Sequence, residues 1–214
     1  MIPSEETDHF SIGEIADDEI YTAADPDLSP GAYHKRRKVN WLKTSIKHHY
    51  YSSLFYLLKH SHTIVSIKKH ADFIDSLMEE LYIKDGDCFL SLRINKESEI
   101  SLTDLKDLFD NYLGLISKVN ADFNFGEQID TTTVKLSLNS PGFINIKLPV
   151  GKSLIVTSLM LSMFLNGCTN DEISMKINRE TIPTEYIPYM DSIQNIRKNL
   201  EVENDSIFDR LTNH

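Results

Sequence analysis

The sequence predicts an α+β fold: a helical N-terminal half, then a small, partly antiparallel sheet with a β-hairpin at about 133–148, packed by helices. Three observations predict it. Val39, Leu42, Ile46, Tyr50, Leu54, Leu57 and Leu58 recur at three- and four-residue steps, the spacing of one helix face. Cys88, Leu90, Leu92 and Ile94 alternate with Phe89, Ser91 and Arg93, the pattern of a half-buried strand. Val134, Leu136 and Leu138 alternate before the turn Asn139-Ser140-Pro141-Gly142, and Ile144, Ile146 and Leu148 alternate after it, which is a hairpin.

The remaining elements follow in order. Ile67, Ala71, Ile74, Leu77, Met78 and Leu81 share one face of a second helix, which the turn Lys84-Asp85-Gly86-Asp87 ends. Ser101 and Asp104 have capping-box spacing. They open a helix striped by Leu102, Leu105, Leu108, Phe109, Tyr112, Leu115, Ile116 and Val119. The apolar run Ser153–Leu165 is shorter than the roughly 20 residues of a membrane span, so it reads as a core helix. Gly167 stops it. A short helix at Asp171–Ile177, a proline-marked loop and a last helix near Tyr189–Leu200 complete the chain.

The chain of 214 residues suffices for one core, and its 41% hydrophobic and 25% charged residues are those of a folded protein. The expected organisation is an acidic flexible arm at 1–30 and one α+β domain at 31–214. Within that domain 31–84 is expected to be helical with a basic, aromatic start, and 85–214 to run strand, helix, hairpin, helices. No apolar leader opens the sequence, and its two cysteines, Cys88 and Cys168, read as small buried hydrophobes. The expectation is a cytoplasmic protein with no membrane contact. The Lys-, Asn- and Ile-rich makeup points to an AT-rich bacterial or phage gene.

Charge is segregated. Residues 1–27 hold nine acids and no Lys or Arg, whereas 28–71 hold nine bases and no acid. These blocks cancel, so the net charge of −10 falls on the rest of the chain. The basic block interleaves cations with rings, and its candidate contact residues are Lys35, Arg36, Arg37, Lys38, Trp41, Lys43, Lys47, His48 and Tyr51. Cations attract phosphate and carboxylate, and rings stack on bases. A nucleic-acid contact is one reading of this pattern. Pairing with the chain's own acidic arm or with an acidic protein is the other, and the acidic pI near 5.2 favours it.

Other chemistry is not legible. Six histidines lie in 34–70, but neighbours such as His48 and His49 diverge by about 100° on a helix, and no carboxylate stands beside them in sequence, so no metal site is expected. Gly151-Lys152-Ser153 lacks the glycine of a phosphate loop, because position 146 is Ile146. Asp104, Asp107 and Asp110 share a helix face in a polar context, which fits a solvated surface. The serines show no nucleophile elbow, and neither cysteine is set up as a nucleophile. No catalytic residue, cofactor or metal is expected.

Asn166-Gly167-Cys168-Thr169-Asn170-Asp171-Glu172-Ile173 resembles the turn and second-helix start of LuxR-type helix-turn-helix proteins, and Ile196–Val202 resembles that family's closing stretch. The resemblance covers only about 50 residues. It implies a recognition helix at Thr181–Asp191, yet that segment contains Pro183, Pro188, Glu185 and Asp191 and no Lys or Arg to meet DNA. The functional expectation is therefore a non-enzymatic interaction protein. It would be an accessory or regulatory subunit of a larger bacterial or phage complex, docking a protein partner through the charged arm and the basic, aromatic segment. The alternatives are a nucleic-acid-binding module at 34–59 and an effector enzyme without a readable motif.

Overall fold

A computed structural model describes residues 2–3, 9–22, 35–47, 66, 68–137, 142–166 and 182–202. The chain divides into two compact units, Met1–Lys69 and His70–His214.

In the first unit the described elements are strands, apart from the start of a short 3-10 helix at Lys68–His70. β1 (Ile2–Pro3), β2 (His9–Ile15) and β5 (Val39–Lys47) form an antiparallel sheet in the order β1-β2-β5. β3 (Tyr21–Thr22) and β4 (Lys35–Arg36) form a two-stranded antiparallel pair. The helical N-terminal half expected from the sequence is thus corrected: Val39–Lys47 is a strand, and the described α-helices all follow residue 70. Tyr50, Leu54, Leu57 and Leu58 lie outside the described residues.

The register explains the misleading period. Gly13 faces Trp41 while Ile12 faces Lys43, so β5 carries an extra residue at Leu42. Ile12 faces Lys43 while Phe10 faces Ile46, a second extra residue. Each bulge turns a two-residue repeat into a three-residue one. The apolar spacing Val39, Leu42, Ile46 then imitates a helix. Composition pointed the other way, because Val39, Trp41, Thr44 and Ile46 are strand formers.

The second unit has a four-stranded antiparallel sheet in the order β6-β7-β9-β8. Its strands are β6 (Leu81–Lys84), β7 (Asp87–Ile94), β8 (Thr133–Ser137) and β9 (Gly142–Pro149). β8 and β9 pair antiparallel as the sequence predicts. The helices are α1 (Ala71–Met78), α2 (Leu102–Asp122), α3 (Lys152–Asn166) and α4 (Ile187–Asn199). Leu81 is not the end of the preceding helix. Asp85 and Gly86 both take positive φ, as a two-residue hairpin turn requires, and this makes β6 a partner of β7.

The core lies on one face of this sheet. Cys88, Leu90, Leu92 and Ile94 of β7 and Ile144, Ile146 and Leu148 of β9 are buried against α2, α3 and α4. Leu105, Leu108, Tyr112, Leu115, Ile116 and Val119 face them from α2, so the predicted stripe holds except at Leu102, which is 81% exposed. The Ser101 hydroxyl caps α2 by accepting from the Asp104 amide at 3.3 Å. The opposite sheet face is covered at its centre by α1. Arg93 donates to the Leu77 carbonyl, Ser91 donates to the Ser76 carbonyl, and the Phe73 and Phe143 rings meet edge to face. No helix among the described residues is long and apolar enough to cross a membrane. The expected short helix at Asp171–Ile177 lies outside the described residues.

Candidate functional site

The basic segment is built into the first unit by backbone pairing. Ile15 faces Val39, Glu14 faces Asn40 and Gly13 faces Trp41. The Ala16 amide donates to the Lys38 carbonyl at 3.0 Å, which carries the pairing past the strand end. The Asp17 carboxylate accepts from the Glu19 amide at 3.1 Å, an Asx turn that bends the chain onward. Tyr21 and Thr22 then pair with Arg36 and Lys35. The acidic stretch therefore lies strand to strand against the basic one.

Lys35, Arg36, Arg37 and Lys38 are all exposed. Arg37 approaches Asp18 at 3.9 Å, a loose surface ion pair. Trp41 is 51% exposed, and its ring edge lies where a Cβ on Gly13 would sit, within 3.0 Å. Gly13 thus makes room for the indole to lie over the β2 backbone. Ile15, Ile20, Tyr21 and Leu42 are also exposed, which adds apolar surface to the four cations. Lys43 is half-buried. Of Lys47 only the strand position is described, and His48 and Tyr51 lie outside the described residues.

Sequence reasoning missed Gly13, whose position between Ile12 and Glu14 gave no sign of the ring it admits. It also missed two constellations in the second unit. Glu127 reaches the start of α3, where its carboxylate accepts from the Lys152 amide at 2.6 Å, the Ser153 amide at 3.0 Å and the Ser153 hydroxyl. Asn120 holds Glu127 in place: its side-chain amide donates to the Glu127 carbonyl and its side-chain oxygen accepts from the Glu127 amide, each at 3.0 Å. The positive end of the helix is therefore met by the chain's own carboxylate. The Gly151-Lys152-Ser153 sequence is a capped helix start.

In the second constellation, the Arg197 guanidinium donates to Glu80 at 3.2 Å and to the Tyr112 hydroxyl at 3.1 Å, all deep in the unit. Burial pushes the Tyr112 phenol up, against the pull of the Arg197 cation. This ties the last turn of α4 to α2 and to the segment before β6. Arg197 lies in the stretch that resembles the helix-turn-helix closing segment, and here it is a buried structural cation.

Of the remaining candidates, Cys88 and the aspartates of α2 lie among the described residues, while His34, His48, His49, His60, His62 and Cys168 lie outside them. Burial, reinforced by Glu127, pushes the Cys88 thiol up to about 12, so it stays protonated and unreactive near neutral pH. Asp110 pairs with Lys106 on the exposed face of α2. Among the described residues, no group of three or more His, Cys, Asp and Glu is gathered to hold a metal ion. The chain matches no protein-family model, no curated protein and no solved structure.

Proposed function

We propose that this protein is a non-enzymatic interaction protein, an accessory or regulatory subunit that docks a protein partner through the basic strand region around Lys35–Lys38 and Trp41. The observation that carries the reading is the juxtaposition of four exposed cations with an exposed indole and an exposed Leu42. Interface centres favour aromatic and Arg side chains, which combine contact area with directional hydrogen bonds. A cytoplasmic setting and a place in a larger bacterial or phage assembly belong to the same reading.

Photo-crosslinking tests it. A crosslinking amino acid at position 41 is expected to capture a discrete partner in cells, and one at the exposed Leu102 position is not. Capture from 102 alone would move the docking surface to the second unit.

The second reading is a nucleic-acid contact, favoured by the same run of exposed cations beside a ring able to stack. Titration of labelled DNA and RNA at several salt concentrations decides it. Tight binding whose logarithm falls linearly with the logarithm of salt is the expected signature, and no binding at low salt removes the reading.

A further inference from the structure

The docking surface already has an occupant, and that occupant describes the ligand. Strand β5 is paired along one edge with β2, and the chain continues through Glu14, Asp17, Asp18 and Glu19 to pair Tyr21 with Arg36. What lies against the basic segment is thus the chain's own residues 9–22, two strands with Ile12, Ile15 and Tyr21 joined by an acidic bend that carries Asp17, Asp18 and Glu19. Its hold is light. Ile12 is the buried hydrophobe among the described side chains of the first unit, and the ion pair between Arg37 and Asp18 is long and exposed. Two bulges interrupt the ladder between β2 and β5. Backbone pairing of this kind makes no demand on side-chain identity. An incoming strand of the same chemistry can take over the backbone pairing that β2 makes with β5 and, on its other edge, with β1.

We infer that the partner presents an acidic, aliphatic extended peptide that exchanges with residues 9–22 of this chain. The inference rests on the docking reading above and adds the class of partner and its regulation. Backbone pairing supplies affinity without sequence demands, as in strand addition generally. Carboxylates facing Lys35, Arg36, Arg37 and Lys38 supply selectivity, because a neutral strand leaves those cations unmatched. The resident segment lowers the apparent affinity of any partner, since the free strand is only fractionally populated. A partner must therefore be locally concentrated or carry more charge than the arm.

The chain's single tryptophan, Trp41, sits on β5 opposite Gly13 and reports on the exchange. The probe is a synthetic peptide of residues 9–22, titrated into the full chain while indole emission is followed. Saturable binding that weakens with salt is expected. The same peptide with its acids replaced by Asn and Gln should bind at least tenfold more weakly. In a full-length variant carrying Glu14→Gln, Asp17→Asn, Asp18→Asn and Glu19→Gln, the acidic peptide should bind on the order of tenfold more tightly, because the competitor has lost its four charges, that of Asp18 beside Arg37 among them.

Equal binding of the neutral and acidic peptides overturns the inference. So does unchanged affinity in the arm variant. A single-stranded oligonucleotide that shifts Trp41 emission when the acidic peptide does not also overturns it, while leaving a docking surface in place. If neither probe binds but position 41 still crosslinks a partner, the peptide class is wrong and the docking reading stands. If neither binds and position 41 captures nothing, both fall. The wild-type titration with charged and neutral peptides decides the matter should the arm variant fail to fold.

Discussion

In Met1–Lys69 the described side chains bury one hydrophobe, Ile12, whereas in His70–His214 burial runs through the two central strands and three helices. The first unit joins its strands by backbone ladders with bulges and presents Trp41, Tyr21 and four consecutive cations to solvent. The second closes its polar groups inward, with Glu127 on a helix start and Arg197 on Glu80 and Tyr112. The difference teaches where exchange is affordable. A strand packed into such a core cannot leave without exposing it, whereas backbone pairing alone can pass to another strand.

Arg197→Ala should break the comparison most forcefully on the side of the second unit. Removing one partner of a buried ion pair strands Glu80, at roughly 3–5 kcal/mol. Denaturant unfolding followed by circular dichroism measures it, and Trp41 emission should report the first unit separately. If both signals shift together by the same amount, the two units are not independent. Gly151→Ala comes next. Gly151 has φ +57°, and an added Cβ would collide with the Cβ of Cys88. A cost of roughly 1–3 kcal/mol is expected from the backbone strain alone, with a lowered melting temperature as the readout.

Glu127→Ala should cost about 1 kcal/mol, since it uncaps α3. Glu127→Gln should recover part of that, and full recovery would show that the carboxylate charge is irrelevant. A smaller effect concerns acid. The hydrogen bond from Lys84 holds Asp72 below the ordinary carboxylate range, against some desolvation. A depressed folded-state value means stability that is present above the ordinary aspartate range and lost as pH falls through the lowered value. Lys84→Met should flatten that acid limb of the stability profile slightly, and an unchanged limb would remove the pair from the account. Gly13→Ala should leave the second unit untouched. Its Cβ would meet the Val39 side chain at 2.6 Å and the Trp41 ring at 3.0 Å, so the expected change is in indole emission rather than global stability.

Much of the second unit was legible because its elements obey one period each. Cys88 to Ile94 alternates cleanly, and Leu105 to Val119 follows the helix, so the core face could be read directly. β6 was not, because four residues are too few to set a period and Leu81 continued the stripe of the helix before it. In the first unit the bulges at Leu42 and before Ile46 broke the alternation and created a false helical spacing. The cations of the candidate site were plain from charge alone. Gly13 beneath Trp41 was not, since nothing local to a glycine states which ring will cross it.

Sequence alone determined the charge of the two N-terminal segments, the alternation of β7 and β9, and the stripe and cap of α2. These depend on residue type and near neighbours, which the chain carries in its order. Tertiary structure decided that the acidic and basic segments lie strand to strand, that Val39–Lys47 is extended, and that Glu127 and Arg197 reach groups far along the chain. Those outcomes depend on which backbone donors and charges find partners after folding, and pairing across long sequence separations leaves no local signature.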